Sequence, residues 1–295
     1  MEKMRLLGIA AAVLIGIVWA VPAVLAGDAA ARRVVSLSPI VTETVYLLGA
    51  QDRLVANTSY CNVPPAAAEK EKIGSVTQIN VEKIISLSPD LVITSALTRE
   101  KQIRILKKQG VRVMEIKNPR TFDQMCDITR KIGGALGRSG TADTVTRDAR
   151  ARVAEIQGRV AGRHPRRVFV QIGLKPLHTV NKDLFIHEFI ALSNGINVAA
   201  DQPSGVYSRE QVIRENPDVI LVATMGTSRK AAALERDRWM GFSSLKAGAA
   251  NEIHVLDPEL ICSPTPVSFA QGLARVAVLI HPGAFPEDAE AGHGG

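Results

Sequence analysis

The stretch EKIISLSPDLVI at residues 82–93 returns in nearly the same form as EQVIRENPDVIL at residues 210–221. Each copy opens with a glutamate, continues through an amphipathic segment to a Pro-Asp pair, and then enters a run of branched apolar residues. This order indicates a short helix followed by a buried strand, because an acidic residue favours a helix start and branched residues favour strands. The repeat therefore predicts two similar units in one chain.

Further apolar runs with strand character surround both copies. The predicted strands are 32–39, 53–58, 90–94 and 111–116 in the first half and 167–172, 219–223 and 253–256 in the second. Segments with apolar residues three and four apart separate them, for example 39–50, 184–193, 208–216 and 267–280. Strands alternating with helices predict an α/β fold with two lobes, each a mostly parallel sheet flanked by helices.

A single long helix is expected between the two lobes. Residues 141–161 contain no proline, and small or branched apolar residues recur there at intervals of three and four. A continuous helix acts as a stiff spacer rather than as a flexible linker. The predicted division is an N-terminal lobe at 32–137, a linking helix at 138–164, a C-terminal lobe at 165–282 and a disordered tail at 283–295.

Residues 1–26 have the pattern of a cleaved secretory signal peptide. Lys3 and Arg5 precede an uncharged apolar run at 6–21, and small residues end the segment at Ala26. The alternative is a retained membrane anchor, but the run is shorter than the ~20 residues that span a bilayer. The segment therefore predicts a secreted protein.

Composition restricts the possible functions. The net charge of +7 is spread over helices that also carry Asp and Glu, and aromatic residues are scarce, which disfavours nucleic-acid binding. No Gly-rich phosphate loop, Cys-x-x-Cys pair or His-Glu-x-x-His helix is present, and GGALG at 133–137 is expected to end a helix. We expect no enzyme and no resident cofactor; the enzymatic alternative is a secreted α/β enzyme that uses Asp257 and His178 as acid and base.

The two repeated glutamates, Glu82 and Glu210, allow two interpretations. Each lies near the start of a helix, where the helix dipole stabilises a carboxylate without any further role. As a matched pair on two lobes, they also offer a two-point contact for a partner that is itself two-fold.

Several segments resemble a known family in the same order along the chain. SREQVIRENPDVILV, NVEKIISLSPDLVIT, NTSYCNVPP and RRVFVQIGLKPLHT are similar to segments of the binding proteins for cobalamin, ferric siderophores and haem that feed ATP-driven importers. The motifs are nearest to those of the members that bind vitamin B12. The resemblance spans about residues 32–282 and implies two lobes joined by a helix, with the ligand in the cleft between them. It also implies that Glu82 and Glu210 dock a monomeric binding protein on a dimeric ABC permease of the inner membrane.

The resemblance also implies the ligand contacts. Tyr60 matches a tyrosine that lines the pocket, and Asp257 falls in a loop that supplies polar contacts. The tryptophans that pack on a corrin have no counterpart, since Val76-Thr77 and Ser204-Gly205 occupy those stretches, and His178 stands in place of a phenylalanine. An arginine of the C-terminal lobe is also missing near Ile261. The expected ligand contacts are Pro39, Tyr60, Cys61, Thr77, His178, Tyr207 and Asp257. For Tyr207 the alternative is that it simply packs.

Some alternatives remain open at this point. His178 is either a hydrogen-bonded surface residue or an axial ligand to the metal of a bound chelate. Cys61 and Cys262 are either unreactive small side chains, a disulfide across the cleft or soft metal contacts, whereas Cys126 is expected in the core. The ligand is a metal chelate, with cobalamin or a related corrinoid first and a ferric siderophore or haem as the alternative. A module that presents chelates to a receptor without a transporter is a further possibility.

Overall fold

The computed structural model of the chain describes residues 30–224, 229–262 and 264–286. The predicted signal peptide at 1–26 and the end of the predicted tail, 287–295, lie outside these residues. Within the described part, no helix is both long enough and apolar enough to cross a membrane.

The first half of the described chain forms a parallel sheet. Its strands are β1 (Val34–Ser36), β2 (Leu54–Asn57), β3 (Glu71–Lys72), β4 (Leu91–Thr94) and β5 (Val113–Glu115), in the order β3-β2-β1-β4-β5. The helices are α1 (Pro39–Leu47), α2 (Pro65–Ala68), α3 (Val81–Ser86) and α4 (Glu100–Lys108). The central strands β1 and β4 are buried along their whole length, as expected when helices cover both faces of a parallel sheet.

Two antiparallel helices follow, α5 (Phe122–Ala135) and α6 (Ser139–Val160). Their direction is fixed by the ion pair between Arg130 and Asp143, 3.1 Å long, and by a second pair between Arg150 and Asp123. Near the turn, α5 and α6 lie so close together that a Cβ placed on Gly133 of α5 would lie 2.5 Å from the Cβ of Ala142 of α6. GGALG therefore ends a helix, as predicted, and Gly137 has the positive φ (61°) that such an end requires.

The helix pair contributes to the cores of both halves. The first turns of α5 pack in the same cluster as the strands of the second half, through Phe122, Met125 and Cys126. Its last turns pack with β1, β2 and β4 through Ile128 and Ile132. Helix α6 runs back, so that Ala142 belongs to the first cluster of strands and Ala149, Val153, Ile156 and Val160 belong to the second. The predicted core position of Cys126 is confirmed, and burial raises the pKa of its thiol to about 11.

The second half of the described chain forms another, mostly parallel sheet. Its strands are β6 (Arg166–Leu174), β7 (Leu177–Thr179), β8 (Gly195–Asn197), β9 (Val219–Val222) and β10 (Ile253–Val255). β6 pairs in parallel with β8 and β9, β9 pairs with β10, and β7 folds back antiparallel on the end of β6. The helices are α7 (Ile186–Leu192), α8 (Arg209–Glu215), α9 (Arg229–Met240), α10 (Lys246–Ala249), α11 (Pro258–Cys262) and α12 (Pro266–Ile280).

The two sheets repeat one arrangement, since β2-β1-β4-β5 corresponds to β8-β6-β9-β10. The predicted α/β fold with two lobes is confirmed, and we call the sheet of β1–β5 with its helices the N-terminal lobe and that of β6–β10 the C-terminal lobe. The predicted division at 137 and 164 remains a prediction.

In both lobes, the Pro-Asp pair of the repeated phrase ties a helix to a strand. Asp90 accepts hydrogen bonds from the backbone N–H groups of Arg32 (2.7 Å) and Arg33 (3.1 Å), and the Arg33 guanidinium donates to the carbonyls of Leu87 and Ser88, directly after the end of α3. Asp218 likewise accepts from the backbone N–H of Arg167 (2.8 Å), whose guanidinium donates to the Glu215 carbonyl at the end of α8. We call each arrangement an Asp-Arg clamp.

The last described residues differ from the predicted disorder at 283–295. Pro282–Ala284 form a 3-10 turn, and the buried ring of Phe285 lies under the Arg159 guanidinium, 5.4 Å from its carbon to the ring centre. Burying an aromatic ring offsets the entropy of ordering this short segment.

Candidate functional site

The polar and aromatic residues predicted to bind ligand in the N-terminal lobe follow the carboxyl ends of neighbouring strands. Pro39 comes after β1, Tyr60 after β2 and Thr77 after β3. Because parallel strands end at one edge of their sheet, the structure brings these residues to the same edge, which is where open α/β sheets bind ligands. Thr77 is exposed there, and Pro39 is half-buried at the start of α1.

Large apolar side chains are exposed at the same edges. Tyr60 is 63% exposed, and similar exposure is found for Val63 and Leu97 in the N-terminal lobe and for Leu184 and Val206 in the C-terminal lobe. An isolated exposed apolar residue is ordinary, but several on loops that follow strands indicate a binding surface. The sequence offered no signal for Val63, Leu97 or Val206, because no apolar period surrounds them, and Leu184 was included in the predicted helix 184–193.

Tyr60 lies in the segment 57–68, from the end of β2 through α2, which we call the Tyr60 loop. Buried groups hold this loop in place. The Cys61 side chain is completely buried and lies 3.2 Å from the Thr58 hydroxyl. Lys72, in β3, extends its ammonium into the loop and donates to several of its oxygens. The prediction of Cys61 as a ligand contact is therefore corrected: it is a free thiol that packs, and it forms no disulfide in this structure.

His178 lies on the hairpin formed by the end of β6 and β7. Its backbone pairs with Gly173 and forms an isolated bridge to Val206. A Cβ at Gly173 would lie 3.0 Å from the Cβ of His178, and one at Gly205 would lie 3.6 Å from its Nδ1. The two glycines thus leave room for a half-buried imidazole at the carboxyl end of β6.

A buried polar network supports this hairpin. Gln171 donates to the Gly173 carbonyl (3.0 Å) and to the buried carboxylate of Glu235 (3.0 Å), and it accepts from the Trp239 indole N–H (2.6 Å). Glu235 also pairs with Arg238 at 3.0 Å and with Arg209, whose guanidinium stacks over Trp239. Burial alone would raise the pKa of the Glu235 carboxyl, but the hydrogen bonds from Gln171, Arg209 and Arg238 bring it below its ordinary value.

Asp257 is exposed after β10, at the same edge as His178. The strand order places β6 and β9 between β7 and β10, so the two backbones are separated by three strand spacings, or about 14 Å. A general acid and base must both reach one substrate atom within hydrogen-bonding distance. This separation does not favour the alternative of an enzyme using Asp257 and His178.

Tyr207 does not lie on the binding edge. It is only 6% exposed, and its ring packs against Phe169 with 5.5 Å between ring centres. Burial, followed by the charge of Glu215, raises the pKa of its phenol. Its predicted ligand contact is corrected to a core role; the apolar character of Tyr207 and its neighbours did not reveal which face of the sheet it covers.

Glu82 and Glu210 occupy equivalent and exposed places. Each is the second residue of its helix, after a side-chain cap from Asn80 in one lobe and from Ser208 in the other. Hydrogen bonds from its own backbone N–H and from the Ser208 side chain lower the pKa of Glu210. Neither glutamate takes part in the Asp-Arg clamp that follows it.

The described residues contain no cluster of three or more His, Cys, Asp or Glu side chains that could hold a metal ion. Two α/β lobes with mostly parallel sheets, exposed loops at the carboxyl edges of the strands and a helix pair between the lobes are the architecture of a two-lobed solute-binding protein. Comparison with known proteins leads to the same class. The chain belongs to the periplasmic binding protein family, whose sequence profile matches residues 34–260.

Individual relatives match most of the chain. An ABC transporter substrate-binding lipoprotein of Bacillus subtilis (strain 168), YvrC, is 31% identical over 87% of this chain and 82% of its own. The vitamin B12-binding protein of Vibrio cholerae is 30% identical over 83% of this chain and 88% of its own. The family consists of solute-binding proteins rather than enzymes, and this confirms the expectation that the chain is not an enzyme.

Solved structures agree. The periplasmic vitamin B12 binding protein of V. cholerae superimposes with a TM-score of 0.75 at 27% identity, covering 85% of this chain and 97% of its own. The periplasmic haem-binding protein HutB of V. cholerae has the same TM-score at 20% identity, covering 85% and 99%, and shares the fold.

Proposed function

We propose that this protein captures a metal chelate, first of all cobalamin or a related corrinoid, in the cleft between its lobes and delivers it to an ABC importer. The observation that carries this proposal is the relationship to vitamin B12-binding proteins over most of both chains. The exposed apolar residues at the sheet edges suit a large ligand with apolar faces, and Tyr60 would stack on a planar macrocycle. The chelate is transported cargo and not a cofactor.

Haem is the second candidate, and His178 favours it. A neutral imidazole is a common axial ligand of haem iron, and this one lies half-buried at the binding edge of the C-terminal lobe. A ferric siderophore is the third candidate ligand.

The test is a titration with cyanocobalamin, haemin and a ferric siderophore, followed by Trp239 fluorescence and by calorimetry. Trp239 is fully buried behind β6, so a coloured ligand quenches it by energy transfer and not by contact. We expect one chelate to bind with one-to-one stoichiometry and a Kd of about 1 μM or tighter, without turnover. Failure of all three to bind would overturn the proposal.

We further propose that Glu82 and Glu210 dock one monomer on the two subunits of a dimeric permease. The support is their equivalent placement and exposure on the two lobes and the transporter role of the relatives. Charge-assisted pairs with arginine clusters would fix the orientation of the complex.

Residues 1–26 are proposed to be a signal peptide that is removed on export to the periplasm, since the chain belongs to a periplasmic family. Mass spectrometry of the exported protein tests this. A mature N-terminus at Gly27 is expected, whereas a chain that keeps residues 1–26 and stays with the membrane would contradict it.

A further inference from the structure

An unusual site surrounds the ammonium group of Lys72. The nitrogen lies 2.8 Å from the side-chain oxygen of Asn57, 3.1 Å from the carbonyls of Cys61 and Ala67, and 3.4 Å from that of Thr58. These oxygens span the segment that carries Tyr60, since Asn57 ends β2, Thr58 and Cys61 follow it, and Ala67 lies in α2. One charged group therefore ties together a segment that would otherwise need several separate contacts.

The chemistry of the site fits a fixed cation. An ammonium has three N–H donors, which the three shorter contacts can use, and no carboxylate is among its partners. The nearest acidic neighbour in the chain, Glu71, pairs with Lys83 instead. Asn57 and Ala67 are completely buried, and the Asn57 amide also donates to the Ala67 carbonyl at 2.8 Å. The carbonyls of Ala67 and Thr58 have other donors as well, but loss of the ammonium would take away the Lys72 donor of the Asn57 side-chain oxygen and of the Cys61 carbonyl, which is costly for buried groups.

The fixed loop contrasts with the exposure of its tip. Tyr60 is 63% exposed, although Thr58 and Cys61 on either side of it are fully buried. An aromatic side chain held on a rigid loop loses less entropy when it binds a ligand than one on a mobile loop. We propose that Lys72 is a positioning residue that holds the Tyr60 loop in one conformation and so presents Tyr60 to ligand. The ligand part of this inference rests on the proposed function.

The first experiment needs no ligand. Lys72→Met is compared with Lys70→Met, a matched control two residues away whose ammonium contacts a carbonyl outside the loop, that of Gln51. We expect amide hydrogen exchange at 57–68 to rise by about tenfold or more in Lys72→Met only, with 253–262 of the other lobe unchanged. Unchanged exchange at 57–68 would overturn the proposal. If Lys72→Met does not fold, Lys72→Gln, which keeps two N–H donors, replaces it and should show a smaller rise.

The second experiment is a double-mutant cycle with Tyr60→Ala and the chelate that the wild type binds. Lys72→Met should weaken binding about tenfold in the wild-type background and less than about twofold in Tyr60→Ala, because its effect acts through Tyr60. Equal losses in both backgrounds would show that Lys72 does not position Tyr60. If the wild type binds none of the three chelates, the proposed function fails, and hydrogen exchange alone decides the role of Lys72.

Discussion

Ser88 and Asn216 stand at the same place in the two Asp-Arg clamps, and both have a left-handed backbone, with φ of 47° and 46°. Of these two residue types, only asparagine adopts a left-handed backbone readily. The C-terminal clamp also has two further contacts. The Glu215 carboxylate lies 2.5 Å from the Arg167 guanidinium, and the Asn216 side-chain oxygen accepts from the backbone N–H of Lys246 at 2.9 Å. In the N-terminal clamp, the corresponding Leu87 offers Arg33 only its carbonyl.

This difference separates the structural part of the repeated phrase from the rest. The Pro-Asp pair recurs together with an arginine at the start of the central strand, Arg33 before β1 and Arg167 in β6. In both lobes these residues tie the end of a helix to the central strand. The clamp tolerates variation at Ser88 and Asn216 and at Leu87 and Glu215, yet the exposed glutamate at the helix start is the same in both copies and contributes nothing to it. Two causes therefore stay open for its repetition, the stabilisation of a helix start and a contact with a partner.

The strongest test asks whether that partner is the permease. Charge reversal adds like-charge repulsion that costs several kcal/mol across an interface. In the double variant Glu82→Lys, Glu210→Lys, we expect uptake of the cognate chelate to fall by about 100-fold while its Kd is unchanged. Glu100→Lys, at the start of α4, is the matched control and should transport normally. Normal uptake by the double variant would return both glutamates to the role of helix-start residues.

The next test exploits the buried charges of the C-terminal lobe. Glu235→Gln breaks its pairs with Arg209 and Arg238, and the free energy of unfolding should fall by about 3 kcal/mol at pH 7. The folded-state pKa of Glu235 lies below its ordinary value of 4.5, so its stabilisation is present above that pH and is lost as the pH falls through the lower folded value. Urea unfolding from pH 7 to pH 3 should show the difference between the two proteins in free energy of unfolding shrinking only as the pH falls below 4.5.

The control for this acid effect is Glu155→Gln. Hydrogen bonds from Arg152 also lower the pKa of Glu155, but this carboxylate is on the exposed face of α6 and should contribute little. If the free energies of unfolding of the wild type and of Glu235→Gln differed by the same amount down to pH 3, the ionised carboxylate of Glu235 would not be what stabilises the lobe.

The two clamps themselves can be compared by removing their carboxylates. Asp90→Ala should lower the free energy of unfolding by about 2 kcal/mol, because Asp90 accepts two backbone N–H groups, and Asp218→Ala by about 1 kcal/mol, because Asp218 accepts one. Asp52→Ala, at an exposed aspartate of the N-terminal lobe, should change stability little. The reverse ranking in urea titrations would mean that the surrounding contacts outweigh the number of hydrogen bonds.

The smallest effect is expected from exchanging the left-handed residues. Ser88→Asn should stabilise the protein by about 0.5 kcal/mol, since asparagine tolerates positive φ. Asn216→Ser should cost about 1 kcal/mol, because it also removes the acceptor for the Lys246 N–H. Thermal unfolding of both variants measures this asymmetry, and equal and opposite shifts would show that the Asn216 hydrogen bond adds nothing.

The sequence revealed the elements whose pattern is long or strongly apolar. β4 and β9 were predictable because they are continuous branched runs after the repeated Pro-Asp, and α6 because its apolar periodicity extends over many turns. β3, β7 and β8 were not predicted, since they have two or three residues and no longer apolar run extends them, whereas the equally short β1, β5 and β10 lie inside such runs. The pairing of β7 with β6 depends on a turn and not on a pattern.

The site was predictable to the extent that chain order fixes position. Tyr60, Thr77 and Asp257 were expected near a binding edge, and they follow the carboxyl ends of their strands. Cys61 was misjudged because a loop alternates exposed and buried side chains without any rule visible in the sequence. Lys72 was missed because it ends the charged run EKEK at 69–72, which is typical of a solvated surface, and only folding brings the oxygens of the Tyr60 loop around its ammonium.

The antiparallel pair of α5 and α6 has a consequence for engineering. A chain cut between the two helices would yield one fragment that ends in α5 and another that begins with α6, and each helix completes a hydrophobic cluster of the other fragment. Such fragments would be expected to find each other and rebuild both cores, as the halves of a split reporter do. The same exchange means that neither half is a transplantable module, because each lobe on its own would lose core residues supplied by the other half.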